Sequence, residues 1–352
     1  MIRVPIPRIV LDGMGGDFAP TATVAGALLA HRQLGASVIL TGPESLLRDE
    51  LQRQHANPSD VRVVDAPEII GMGEHPVAAV RSRRKSSIVV GLDLVSAGEA
   101  EAFVSAGNTG AAMAAAVLRL RRIEGIDRPA LATPFPTSRG ACLLLDVGAN
   151  ADARAQNLAQ FGIMGVTYAE RVLGIAQPRV ALLNIGEEES KGSLVAQEAH
   201  LQLARLGLNF IGNIEGKDIP EGTADVIVMD GFVGNILIKF AEGLASNLMR
   251  TIRAEIRANP VSTLLGIGLK PMFDRIRGRM DYADYGGAPL LGVNGICIVA
   301  HGRSTPRAIR NAIRVAGEAA NQSLISVIKE GVAAATEKAP IGSESPSSSP
   351  TR

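Results

Sequence analysis

Glycine, aspartate, asparagine and serine recur where short apolar runs end. These positions include Asp12, Gly15, Gly16, Ser105, Gly107, Asn108, Asp146, Asn150, Asn184, Glu187, Asp230, Gly231, Asn235 and His301. If each run is a strand and a helix follows it, the helix N-terminus presents unpaired N–H groups, and ligands bind beyond the strand's carboxyl end. Such a rim is suited to holding an anion. Backbone N–H groups, a neutral amide or a lysine ammonium can face a phosphate or a developing oxyanion. Turn geometry alone selects the same residue types in βα loops, so both readings stand at most of these positions. All of them are expected along one rim.

The elements that must position them are nine β-branched or leucine-rich runs. They begin at RIVLDGMGGD (8–17), SVILTG (37–42), VRVVDA (61–66), AFVSAGNTG (102–110) and CLLLDVGAN (142–150), and continue at RVALLNIGEEE (179–189), NFIGNIEG (209–216), DVIVMDGFVGN (225–235) and ICIVAHG (296–302). Most are nearly continuous in apolar residues, the pattern of strands covered on both faces. Ala/Leu-rich helical stretches separate them. The expected fold is therefore α/β, a three-layer α/β/α arrangement on a mostly parallel sheet.

Composition narrows the function. The 352 residues carry 36 basic and 35 acidic side chains, a formal charge of +1, which excludes nucleic acid as the main partner. Hydrophobic residues make up 46%, too many for a wholly disordered chain. Two cysteines, Cys142 and Cys297, lie in apolar runs; they rule out a disulfide scaffold and fit a reducing compartment. The N-terminus lacks a signal-peptide pattern and no run reads as a membrane span. The expected location is cytoplasmic.

Several chemistries lack their motif. A Walker A pattern, a full G-x-G-x-x-G, a G-x-S-x-G elbow, H-E-x-x-H and C-x-x-C are all missing from the sequence. The five histidines are scattered, and nothing proposes a metal site.

Residues 244–280 differ from the rest. Leu244, Leu248, Ile252 and Ile256 fall at helical spacing up to Pro260, and a second apolar set follows among basic residues. Over 250–280, seven basic residues face two acidic ones. We read a helical hairpin-like segment with 244–256 as core or dimer helix. The stretch 261–276 reads as a peripheral membrane contact through Leu265 and Phe273. Residues 1–334 read as one large α/β catalytic domain, and the Ser/Pro-rich 335–352 reads as a disordered tail.

Seven segments in order resemble one family. LDGMGGDFAP (11–20), SAGNTGA (105–111), GIDRPALA (125–132), LLDVGAN (144–150), NIGEEESKG (184–192), DGFVGN (230–235) and YGGAPLLG (285–292) resemble the bacterial phosphate acyltransferases, the PlsX family of phospholipid synthesis. The resemblance spans about residues 8–328 and implies a fold like that of phosphotransacetylases and isocitrate/isopropylmalate dehydrogenases. It implies reversible transfer of a fatty acyl group from acyl carrier protein to inorganic phosphate, without a redox cofactor, by a homodimer. The acyl phosphate would feed a membrane acyltransferase acting on glycerol 3-phosphate. Two alternatives are a phosphotransacetylase-like enzyme using acyl-CoA and a non-catalytic carrier-binding scaffold at the membrane.

Phosphate at neutral pH is already an anionic nucleophile, so a Ser–His–Asp arrangement is not required. By resemblance, Lys191 and Asn235 are the expected catalytic residues. Their structural readings are a lysine paired with Glu187 or Glu188 and a helix N-cap, respectively. Gly15, Gly16, Ser105, Gly107, Asn108, Thr109, Asp146, Asn150 and His301 are expected around substrate and phosphate, or as loop-capping residues. Arg81, Arg83, Arg84 and Lys85 form a basic run that reads either as a solvated helix face or as a contact for an acidic carrier protein.

Overall fold

Continuous Val, Ile and Leu runs make strands that are buried on both faces: Ile9, Val10 and Leu11 are all at most 1% exposed. The computed structural model describes residues 7–57, 59–259, 268, 272 and 286–338. The first half of the sheet contains β1 (Arg8–Asp12), β2 (Ser37–Gly42), β3 (Arg62–Asp65) and β4 (Ala102–Ser105). The second contains β5 (Ala130–Thr137), β6 (Gly140–Leu145), β7 (Val180–Leu183), β8 (Phe210–Ile214) and β9 (Val226–Val228). Two late strands, β10 (Ala288–Leu291) and β11 (Ile296–Val299), return to the centre. Among the described residues these eleven form one sheet in the order β3-β2-β1-β4-β11-β10-β5-β6-β9-β7-β8.

All nine runs read from the sequence contain strands. The two additional strands, β5 and β10, are the antiparallel ones. Pro134 and Pro136 disguise β5 in the sequence, because proline removes a ladder donor. The register explains why they are tolerated. On β5, β10 pairs only with Ala130 and Leu131, so both prolines lie where β5 has β6 as its one sheet neighbour.

This antiparallel centre corrects the single rim. β3, β2, β1, β4 and β11 are mutually parallel, as are β6, β9, β7 and β8. Three consecutive antiparallel pairings separate the two sets, β11 with β10, β10 with β5 and β5 with β6. An odd number of reversals leaves the two halves running in opposite directions. The carboxyl ends of β1, β4 and β11 therefore lie at one sheet edge, and those of β6, β7 and β9 at the other.

Helices cover both faces. One core packs α1 (Thr21–Leu34), α2 (Glu44–Arg53), α6 (Ala155–Arg171), α7 (Leu194–Arg205), α9 (Pro306–Asn321) and α10 (Leu324–Lys338) on the sheet. The opposite core takes α3 (Pro76–Ser82), α4 (Ser87–Ser96), α5 (Thr109–Leu120) and part of α8 (Gly231–Arg257). Helix α10 reaches Lys338, inside the segment expected as tail, and 339–352 lies outside the described residues. Leu265 and Phe273, with most of 261–276, also lie outside them.

Helix α8 is seated by glycine. A Cβ at Gly234 would overlap the Asp146 carbonyl oxygen and meet the Asp146 carbonyl carbon at 2.9 Å, and both obstacles are backbone. Gly234→Ala should lower stability by ~3 kcal/mol, the upper end for overpacking, read as a shift of the urea unfolding midpoint.

Candidate active site

Each half-sheet ends in a buried aspartate that organises its rim. In the first half, Asp12 accepts from Ser105 Oγ at 2.7 Å and from the Met14 N–H at 3.1 Å. Ser105 Oγ accepts in turn from the Gly107 N–H at 3.0 Å. In the second half, Asp146 accepts N–H bonds from Leu131, Gly148, Ala149 and Asn150 at 2.7–3.1 Å. The Asn150 side-chain amide adds a fifth at 2.9 Å. Burial pushes both carboxyls above the ordinary carboxylate range, and the hydrogen bonds to each oppose that shift. Glycine is needed beside each one. A Cβ at Gly15 would sit 2.6 Å from Asp12 Oδ2, and one at Gly231 would sit 2.8 Å from Asp146 Oδ2.

Many expected phosphate ligands are occupied by the protein itself. Asn108 caps α5 through the Ala111 N–H at 3.0 Å, and its amide donates to the carbonyls of Gly71, Met72 and Glu74 at 3.1–3.2 Å. Asn150 donates to Pro129 O at 2.7 Å. Ser105, Asn108, Asp146 and Asn150 are all at most 8% exposed. They shape the loops through these internal bonds. Gly15, Gly16, Gly107 and Thr109 stand on the first rim. His301 joins them across the Asp17 N–H bond to Gly302 O at 2.7 Å. The Arg303 N–H donates to His301 Nδ1 at 3.1 Å, so the neutral ring carries its proton on Nε2.

Lys191 and Asn235 belong to the second rim, Lys191 on the loop after β7 and Asn235 in the helix after the adjacent parallel strand β9. Both are exposed. The capping role weighed for Asn235 falls to Asp230, whose Oδ1 accepts from the Val233 N–H at 2.8 Å. Asn235 instead lies one turn inside α8, over the Gly148 turn. Between the starts of α7 and α8 is a cavity of about 210 Å³ lined by Ser193, Val195, Asp230 and Val233 among others. Ser193 caps α7 through the Ala196 N–H at 3.2 Å. Two helix N-termini thus converge beside the Lys191 loop, an arrangement that favours anions.

Three side-chain amides hold that loop. Asn184 Nδ2 donates to Lys191 O at 3.0 Å, Gln197 Nε2 to Ser190 O at 2.7 Å, and Asn213 Nδ2 to Glu188 O at 2.9 Å. Asn213 Oδ1 accepts from buried His200 Nδ1 at 3.0 Å, and Phe210 stacks edge-on against that ring. Gln197, His200 and Asn213 were not legible as site residues. They come from α7 and β8, and only the fold brings them to the loop.

The basic run is placed elsewhere. Arg83 donates to Ile69 O at 2.6 Å and pairs with Glu74 at 2.9 Å, a structural role. Arg81, Arg84 and Lys85 are exposed, on the half of the sheet that does not carry Lys191.

Residues 7–327 match the family described as fatty acid synthesis protein. The chain is 50% identical over 325 residues to a phosphate acyltransferase of Pelotomaculum thermopropionicum, covering 92% of this chain and 95% of that protein. The chain belongs to this family. A phosphate acyltransferase of Desulfitobacterium hafniense is 51% identical, over 92% of this chain and 97% of its own length. Among solved structures, a phosphotransacetylase from Streptococcus pyogenes superimposes with a TM-score of 0.62 at 20% identity, covering 89% of this chain and 94% of that one. A structure described as a putative 4-hydroxythreonine-4-phosphate dehydrogenase from Salmonella typhimurium reaches 0.53 at 15% identity, over 89% and 99%. These two likenesses establish the fold, and the family match establishes the lineage.

The amide tether gives a test. Asn213→Ala frees Glu188 and leaves His200 Nδ1 unpaired, and should cost ~1–3 kcal/mol of stability. Asn213→Asp keeps the acceptor for His200 but loses the donor to Glu188. Turnover should fall about tenfold in both, while the melting temperature falls mainly in the alanine variant; steady-state rates and thermal melts check this.

Proposed function

We propose that this chain catalyses the family reaction at the second rim, with acyl-carrier-protein thioester as donor and inorganic phosphate as acceptor. A phosphate oxygen attacks the thioester carbonyl and the C–S bond breaks. Hydrogen phosphate's proton ends on the departing thiol, giving acyl phosphate and free carrier. The observation that carries this reading is that Lys191 and Asn235 stay exposed where neighbouring Asp146 and Asn150 are internally satisfied.

In this reading the helix N-termini and the Lys191 ammonium hold phosphate. The Asn235 amide N–H donates to the thioester oxygen as it becomes anionic, without adding a charge that would repel the nucleophile. The site needs to orient and stabilise more than to deprotonate. The Gly15 and Gly107 N–H groups are spent inside the first rim, on Asp12 O and Ser105 Oγ, which leaves those of Gly16 and Thr109 as its anion-favouring donors, with His301 beside them.

Among the described residues no helix is long and apolar enough to cross a membrane. We place the enzyme in the cytoplasm with a peripheral membrane contact in 261–276, where a membrane acyltransferase using glycerol 3-phosphate takes the product. We also propose a homodimer through α8. Phe232, Ile236, Phe240, Leu244 and Leu248 recur every fourth residue and are 52–68% exposed, an apolar stripe of the kind a second copy covers.

Lys191→Ala should cut acyl phosphate formation ~10²–10³-fold with a nearly unchanged melting temperature. Asn235→Asp should also lose activity rather than stability, since Asn235 does not cap α8. Near-wild-type kinetics in either variant would remove that residue from the site. A preference for acyl-CoA over the carrier thioester would overturn the donor. For the dimer, Phe240→Glu with Leu244→Glu should halve the mass measured by light scattering; an unchanged mass would move the interface off α8.

A further inference from the structure

A groove of about 830 Å³ runs between α8 and the proline-bearing part of β5. That is within the range of sites that enclose a small molecule. Thr133 and Ile238 line it toward the second rim, Ala245 and Met249 its middle, and Arg253 and Arg257 its outer part. Ile238 follows Asn235 at i, i+3 spacing, so the two are neighbours on the helix surface. The groove therefore begins one turn from the candidate catalytic amide and ends among arginines.

We propose that this groove receives the phosphopantetheine arm of the acyl donor and that Arg250, Arg253 and Arg257 receive the arm's phosphate and the acidic surface of the carrier protein. This rests on the carrier-thioester donor proposed above. Three features carry it. The first is length. From Asn235 to Arg250 the helix axis covers ~22 Å. The Arg250 guanidinium donates to Asn247 Oδ1 at 3.2 Å, so it points back toward Asn235 by about one turn, ~5 Å. From phosphorus to sulfur the arm equals a little over four residues of extended chain, ~15 Å. An arm with its phosphate at Arg250 puts its thioester beside Asn235.

The second feature is polarity. Glu242 and Ser246 also line the groove. Those groups suit the two amides of pantetheine: a carboxylate accepts from an N–H, and a hydroxyl donates to a carbonyl. An alkyl chain would bury both without partners. The third is charge. Arg253 and Arg257 line the groove without a described ion pair, while Arg83 of the basic run read from sequence is already engaged by Glu74 at 2.9 Å. Long-range attraction of an acidic protein is served by unpaired arginines.

The test uses the full chain and three probes: acyl-carrier-protein thioester, acyl-pantetheine, and phosphatidylglycerol vesicles. Arg253→Glu with Arg257→Glu should raise KM for the carrier thioester about tenfold and flatten the salt dependence of kcat/KM, with a much smaller loss for acyl-pantetheine. Ala245→Trp, which fills the groove, should raise KM for both donors. If that variant melts early, Glu242→Leu tests the same wall. A double arginine variant with wild-type KM and salt dependence overturns the proposal. So does one that loses only vesicle flotation, which would assign the arginines to lipid headgroups. An Ala245→Trp variant that changes only acyl-chain-length preference also overturns it, because the groove would then hold the alkyl chain. If the wild type forms no acyl phosphate from any thioester, the proposed reaction fails. The groove is then judged by fluorescence anisotropy of labelled holo-carrier protein. Binding lost in the double variant supports it, and equal binding overturns it.

Discussion

The reversal of strand direction at the centre of the sheet governs the rest of the molecule. β10 and β5 are inserted antiparallel between two parallel sets, and the three reversed pairings turn one set against the other. Strand polarity decides where helices begin, and helix N-termini decide where anions are favoured. The chain consequently carries two rims at opposite sheet edges. The β5 strand also extends past β10, which leaves a wall of Pro134, Phe135 and Pro136 for α8 to face across an open groove.

Both rims solve the same problem of shaping a tight loop after a buried strand. Each uses one aspartate removed from water, satisfied by backbone N–H groups and neighbouring polar side chains. An unpartnered buried carboxylate would be costly, so the loop must fold around it to supply donors. Glycines stand where any Cβ would strike that carboxylate. The polar residues that look most chemical in the sequence are therefore largely structural. Lys191 stands outside this network and is held through its backbone, its carbonyl by Asn184 and its N–H by Glu188 O, with the side chain exposed.

Helix α8 connects chemistry to surface. Its start is pressed onto the Asp146 turn through Gly231 and Gly234, its two buried residues. Beyond that seat the helix leaves the core and presents different surfaces to different tasks. The stripe through Phe240 and Leu244 is apolar and exposed, whereas the side facing β5 mixes small, polar and basic residues along a groove. One helix thus relates the candidate site to an exposed apolar stripe and to the groove beside β5.

The amino-acid sequence by itself determined the α/β class and the approximate place of nine strands, because continuous apolar runs report burial on both faces whatever surrounds them. It also carried the family, through seven ordered segments, and with it Lys191 and Asn235. It did not reveal β5, since Pro134 and Pro136 forbid a ladder on both sides and nothing local says that one side stays unpaired. Nor did it tell the hydrogen-bonded Ser105 and Asn150 from the exposed Asn235, because a side chain's partners lie up to 93 residues away, as Asp12 does from Ser105. The amide tether of Gln197, Asn213 and His200 was invisible for the same reason. Strand direction was decided only in three dimensions: a run of valines and leucines has the same pattern whether its neighbour runs with it or against it, and that choice split one expected rim into two.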